Sequence, residues 1–210
     1  MAHATHSLFR TRFYNALKGI ELNGSVLDLG GSRKSGYHEL FRGAPVFTVV
    51  NIDEEYGYDL KFDVEEPFPV ADASYGHVLC LNLLEHTYDY MHVLRESLRV
   101  AKPGGRIISV TPFSIPLHPC PHDYYRFTGE TLQRMFTDAG FRVESVEPMG
   151  YGVFACVYQY SSWLLPGVLR RIAMRCAAGL DRFLGKVSKR YKELSTNYVL
   201  GYLVIARKPA

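Results

Sequence analysis

The sequence predicts an α/β fold on a mostly parallel sheet, and three observations carry that prediction. Short runs rich in Val, Leu and Ile alternate with stretches of helical period. Each short run closes on Gly, Asp, Asn or Pro, as buried strands do. No repeat of fixed period runs through the chain, which excludes a solenoid. At 210 residues, against about 150 per domain, one compact domain is expected over 1–210. With 47% hydrophobic and 21% charged residues, the chain has the apolar material to offset the entropy of ordering it, and global disorder is excluded.

The elements follow in order. Leu8, Phe9, Phe13, Ala16 and Leu17 share one side of a helix predicted over 7–18, with Gly19 as its stop. Residues 25–29, 46–52, 77–81 and 106–111 are each apolar or β-branched and too short for a typical helix, which predicts four buried strands. Met91, Leu94, Leu98 and Val100 space a helix over 90–100, and Lys102-Pro103-Gly104-Gly105 turns it into the next strand. Crossovers of this kind make a parallel sheet. Thr128 is placed to cap a helix carrying Leu132, Met135, Phe136 and Ala139, and Gly140 stops it before a strand at Phe141-Arg142-Val143. Residues 152–193 are read as a helical insertion or lid, with Leu165, Val168, Leu169, Ile172, Cys176, Leu180, Leu184 and Val187 at helical spacing among basic residues. Residues 198–206 are the closing strand.

Charge is uneven. Over 166–193, eight Lys/Arg face Asp181 and Glu193, so the segment carries +6; with +3 for the whole chain, the remainder carries −3. Three readings of this segment stay open: a solvated lid face, a weak peripheral membrane contact through 163–190, or a partner surface. Nucleic acid is not expected, because no basic module with aromatic stacking positions accompanies the charge. Cys80, Cys120, Cys156 and Cys176 form no C-x-x-C pair, so neither a zinc ribbon nor a disulfide scaffold is read and a reducing compartment is expected. The start shows no uninterrupted apolar run before a cleavage site, and no run of about 18 apolar residues occurs, so the expectation is a soluble cytoplasmic protein.

Val26 to Phe41, VLDLGGSRKSGYHELF, sets a hydrophobic strand before a glycine-containing loop and a predicted helix. Open α/β sheets bind ligands at this kind of place, where glycine lets a ligand approach the main chain. The dinucleotide fingerprint G-x-G-x-x-G fails, since its positions hold Gly30, Ser32 and Ser35. Asp53 ends the second strand, where a carboxylate can accept hydrogen bonds from both ribose hydroxyls.

On these residues the chain resembles the class I S-adenosylmethionine-dependent methyltransferases, type 11-like. The resemblance also rests on Asp63, Pro67, Phe68, Ser74 and Tyr75, on the run LCLNLLEH at 79–86, and on Lys102-Pro103-Gly104-Gly105. It implies a Rossmann-like, seven-stranded, mostly parallel sheet with helices on both faces and S-adenosyl-L-methionine as cofactor. Carried over residue by residue, Gly30, Gly31 and Ser32 border the methionine moiety with Asp28 beside them. Asp53 holds the ribose, Asp63 and Val64 meet the adenine edge, and Asn82 and Leu83 line the cofactor. The chain departs from the family where further glycines are usual: Ser32 and Lys34 stand there, and Lys34 is expected to be solvated.

Methyl transfer from a sulfonium needs alignment, exclusion of water and, for some acceptors, removal of a proton. Glu85 and His86 after one strand, and HPCPHDYYRF at 118–127 after the next, are the candidate groups. A subset of the family, including members associated with glycans or their precursors, carries a similar H-D-Y-x-R-F-T run. His122 and His86 are read as general bases with Asp123 orienting or polarising one of them, because imidazole titrates near working pH. Tyr124, Tyr125 and Arg126 are read as shaping the acceptor pocket. His118, Cys120 and His122 lack a second ligand pair at a recognised spacing, so no metal is expected. The expected function is methyl transfer to an oxygen or nitrogen of a small molecule, a sugar or lipid-linked precursor being the class in view. The alternative is a non-catalytic cofactor- or partner-binding module that keeps the sheet. Oligomeric state is not legible.

Overall fold

The computed structural model describes residues 7–210; residues 1–6, at the start of the segment read above as lacking an apolar leader, lie outside the described residues. The order is α1 (Leu8–Leu17), β1 (Glu21–Leu29), β2 (Arg42–Val50), β3 (Tyr75–Leu81), α2 (Tyr90–Val100), β4 (Ala101–Pro112), α3 (Gly129–Asp138), β5 (Arg142–Tyr151), α4 (Val153–Ser161), α5 (Gly167–Val187), α6 (Lys189–Ser195) and β6 (Val199–Arg207). The strands form one sheet in the order β2-β1-β3-β4-β6-β5. The first four run parallel, and β6 is antiparallel to both its neighbours.

Alternation along the strands explains why both faces are covered. Leu27, Leu29, Val78, Cys80, Ile107, Val204 and Ala206 point into a core shared with Val93 and Leu94 of α2 and Leu132 and Phe136 of α3. On the opposite face, Leu22, Val26, Leu79, Leu81, Ile108 and Val110 meet α1 through Phe9, Phe13 and Leu17, with Ala155 and Tyr158 of α4. A sheet buried on both faces needs near-continuous apolar strands, and those short runs are what the sequence shows. The helix starts are locally encoded: Ser7, Asp89 and Thr128 each accept a backbone N–H of the first turn.

Two expectations are corrected. The sheet has six strands among the described residues, where seven were expected. Along β2 the seventh shrinks to one bridge, Val50 with Leu60. Leu60 N–H donates to the Val49 carbonyl (3.1 Å) and Asn51 N–H to that of Leu60 (3.3 Å). The Asp59 carboxylate then takes the Val49 N–H (2.7 Å), so a side chain ends the ladder where backbone would have continued it. The helix expected after the glycine loop is also missing. Gly36 turns at φ +70°, and Tyr37–Leu40 is a single 3-10 turn before β2 begins. Among the described residues, no α-helix N-terminus therefore follows the glycine loop at the end of β1.

Candidate functional site

β2, β1 and β3 are adjacent and parallel, so the chain leaves all three at one edge of the sheet, and β4 ends there too. Every candidate residue except Asp28 follows a strand at this edge. Gly30 sits at φ +67°, and a methyl in place of its hydrogen would lie 2.8 Å from Leu83 Cδ1. Gly31 is backed so closely by the Asp28 carboxylate that a side chain there has no room. Asp28 is fully buried and accepts from Tyr37 Oη (2.5 Å), with His38 Nε2 at 2.7 Å. It stands under the loop, turned into the protein. Burial and the Asp28 charge hold the Tyr37 phenol well above its ordinary range.

The loop and the segment after β2 are tied together. Ser32 Oγ donates to the Tyr56 carbonyl (2.9 Å), Arg33 N–H to that of Gly57 (3.2 Å), and Asn51 Nδ2 to that of Gly31 (2.7 Å). Lys34 is exposed, as expected, and its ammonium meets the Glu55 carbonyl. Asp53 caps the short turn that follows it, accepting Glu55 N–H on Oδ1 (2.8 Å), and Oδ2 has no partner among the described residues. Asp63 spends Oδ1 on Glu65 N–H (2.9 Å), while Val64 packs on the core.

After β3 the chain is strained and unsatisfied. Asn82 adopts φ +53°, a region L-residues other than Asn and Asp seldom visit, and its buried Oδ1 lacks a hydrogen-bond partner. Glu85 is fully buried with neither carboxyl oxygen hydrogen-bonded among the described residues. Burial pushes its carboxyl up to about 8, against the pull of its own amide and of the Arg126 guanidinium. Its carbonyl accepts Tyr124 N–H (2.8 Å), which pins the loop after β4 over the β3 end.

That loop is braced from within. Asp123 accepts from both arms of Arg126 and from His118 N–H (2.8 Å). The guanidinium, more than any other neighbour, holds the Asp123 carboxyl down to about 2. His122 is exposed, and its ring stacks on Tyr124 at 5.2 Å, while its carbonyl accepts from His86 Nδ1 (2.5 Å). Tyr125 packs between Tyr90 and Phe127 and donates its hydroxyl to the Tyr88 carbonyl (3.1 Å). At its far side the loop reaches the segment after β2, where Cys120 Sγ lies 3.6 Å from Tyr56 Oη. It therefore spans from the Asp53 side to the Glu85 side.

The structure thus brings together Gly30, Gly31, Ser32, Asp53, Asn82 and Leu83 along one edge, with His86, His122, Asp123, Tyr124, Tyr125 and Arg126 over it. It sets Asp28 beneath, not within, the cleft. Sequence reading passed over His118 as a partner of Glu85. The two are 33 positions apart, and no local spacing reports their approach. A surface hollow lined by Gly129, Glu130, Gln133 and Tyr202 shares no residue with this edge.

The residues fit S-adenosylmethionine on the structure's own terms. An orphaned Asn82 amide oxygen, an open Asp53 carboxylate oxygen and side-chain-free main chain at Gly30 and Gly31 suit its amine, hydroxyl and sulfonium groups. The strand order is that of a Rossmann-like methyltransferase fold. Residues 8–109 match the family model described as a methyltransferase domain. It is 28% identical over 179 residues to the 27-O-demethylrifamycin SV methyltransferase of Amycolatopsis mediterranei, covering 76% of this chain and 61% of that protein. The chain spans less than two thirds of the length of the first curated relatives it matches. Among solved structures it is similar to a Haloferax volcanii protein in complex with the Trm112 methyltransferase activator (TM-score 0.64, 18% identity, 98% of this chain and 90% of that one). It is also similar to the Burkholderia thailandensis 1,6-didemethyltoxoflavin-N1-methyltransferase, with S-adenosylhomocysteine and 1,6-didemethyltoxoflavin bound (TM-score 0.58, 16% identity, 98% and 80%).

Proposed function

We propose that the protein transfers a methyl group from S-adenosylmethionine to an oxygen or nitrogen of a small molecule, with a sugar or lipid-linked precursor as the acceptor class. The observation that carries this reading is the convergence of Asp53, Gly30–Gly31 and Asn82 at three adjacent carboxyl ends, with the 113–126 loop spanning above. When bound, S-adenosylmethionine supplies a methyl group on a positively charged sulfur. Asp53 holds the ribose, Asp63 and Val64 the adenine edge, and Leu83 fixes the glycine turn from behind. His122 is the proton acceptor for the incoming hydroxyl or amine. His86 positions it through the bond to its carbonyl, and Asp123 with Arg126 holds the loop shut. Tyr124 and Tyr125 offer aromatic faces of the kind that pack against sugar rings.

Thermal shift tests the cofactor half: at about 100 times its dissociation constant a ligand stabilises by roughly 2.7 kcal/mol. S-adenosylmethionine and S-adenosylhomocysteine are expected to shift the wild type and not Asp53→Ala. A shift with NAD alone overturns the reading. His122→Ala is expected to slow methyl transfer about 10²-fold or more with cofactor affinity kept. Equal turnover removes His122 from the chemistry. Binding without turnover across an acceptor panel favours the non-catalytic alternative.

A membrane-surface site of action is supported by α5. Leu169, Ile172, Cys176, Leu180, Phe183 and Val187 recur at three- and four-residue steps, and all are exposed, with Ile172 54% and Phe183 59% accessible. Trp163 and Val168 extend the stripe at 70% and 76%. Asp181, the helix's sole acid, is turned inward to cap α4 through Phe154 and Ala155 N–H, which leaves the outer face basic. No helix of the described residues is long and apolar enough to cross a membrane. All four cysteines are unpaired, which supports a reducing, cytoplasmic setting. Co-sedimentation with anionic but not neutral liposomes at low salt is the expected result, and failure with both ends the membrane reading.

A further inference from the structure

Glu85, His86 and His118 bring one carboxyl oxygen and two ring nitrogens to one point. His86 Nδ1 faces the His122 carbonyl at 2.5 Å, so that nitrogen carries the proton. His118 Nδ1 lies between the Pro116 carbonyl (3.2 Å) and the Asp123 carboxylate (3.3 Å), so it carries its proton as well. Both Nε2 atoms therefore present lone pairs, and both point at Glu85 Oε1, at 3.7 Å and 4.0 Å. The three ligand atoms all lie within 4.8 Å of one another. A proton shared between Glu85 and one imidazole does not resolve this convergence, because both distances exceed any O–H···N hydrogen bond.

From this geometry we infer that Glu85, His86 and His118 form a binding site for a divalent transition-metal cation. Two imidazoles and one carboxylate are a ligand set for zinc and its neighbours. Their spacing suits an ion about 2.1 Å from each donor, with His118, on a loop and 40% exposed, free to close the last few tenths of an ångström. The outer partners are those of metal-binding histidines: a backbone carbonyl behind one ring, a carboxylate and a carbonyl behind the other. Glu85 Oε1, buried and otherwise unexplained, acquires a partner. This departs from the expectation of no metal, which weighed His118 with Cys120 and His122. Three protein ligands leave a position open for an acceptor hydroxyl, whose proton the cation would loosen. That last consequence rests on the proposed methyl transfer; cation binding does not.

The test is titration of the chelator-treated full chain with Co²⁺, followed by its visible d–d absorption, with Zn²⁺ as competitor. One equivalent per chain is expected to saturate, displaced by Zn²⁺, with at least a 100-fold weaker dissociation constant in His118→Ala and in Glu85→Gln. His118 is half-exposed, so its variant is expected to keep the wild-type circular dichroism and thermal midpoint. S-adenosylmethionine affinity, read by thermal shift, is expected to be unchanged in His118→Ala. Absence of saturable binding in the wild type, or equal affinity in folded His118→Ala, overturns the site. Saturable binding in a protein without methyl transfer leaves the site standing and counts against the function alone.

Discussion

The two halves of the carboxyl edge treat buried carboxylates in opposite ways. Beneath the end of β1, Asp28 is fully buried, but Tyr37 and His38 both reach one of its oxygens, and Gly31 closes over it. Beyond the end of β3, Glu85 is equally buried, yet neither of its oxygens is bonded, and two imidazole lone pairs face it. The first arrangement builds the floor of a loop. The second keeps a polar group costly in the free protein, which is the mark of a site waiting for something to bind. Asn82, strained and with its buried Oδ1 unpartnered, lies on the same side of this divide. The β1–β2 half spends one oxygen of its buried acid on two partners and leaves Asp28 Oδ1 unpaired, whereas in the β3–β4 half both Glu85 oxygens and Asn82 Oδ1 stand without partners.

Removing each acid sharpens that contrast, because the signs should differ. Asp28→Ala strands the buried Tyr37 hydroxyl and is expected to cost about 3 kcal/mol in urea unfolding, the largest effect of the series. Glu85→Met, measured with chelator present, is expected to gain about 1–2 kcal/mol, since an unsatisfied polar group gives way to an apolar one of similar length. Loss of stability in both variants would erase the distinction between the two halves. The smallest effect tests a polar group away from the edge. Burial first, then Arg106 and Arg207, lowers the His77 imidazole to about 4. A base depressed in the folded state contributes stability that is complete above its unfolded value near 6.5 and is lost as pH falls toward 4. His77→Gln should flatten the fall of the unfolding midpoint between pH 6.5 and 4. The ceiling is about 1.4 kcal/mol per pH unit, less after solvent screening. An unchanged pH slope would show that His77 titrates alike in both states.

Much of the carboxyl edge was legible because its signals are local. Gly30, Asp53 and Asn82 each follow directly on a short apolar run, and position after a strand is enough to place them at one edge once the sheet is parallel. The role of Asp28 was less legible, since alternation along β1 does not say which acid will find Tyr37 and His38 behind it. Ser32 and His122 show a subtler limit. Both lie at the predicted edge, but Ser32 binds the Tyr56 carbonyl, and His122 contributes a carbonyl to His86 as well as an exposed ring. The missing seventh strand turned on one side chain, Asp59, competing with backbone for a single N–H. The basic amphipathic character of 166–193 was plain from composition, whereas its outward-facing apolar stripe emerged only once Asp181 was seen to point inward.

By itself, the sequence determined the α/β class, most of the helices and strands, and the row of residues at the sheet's carboxyl edge, because periodicity and turn chemistry act over a few residues. Only the tertiary structure decided which of those polar groups are spent on one another and which are left unpaired. Glu85 and His118 come from loops after different strands, and burial and hydrogen-bond satisfaction are properties of the packed whole.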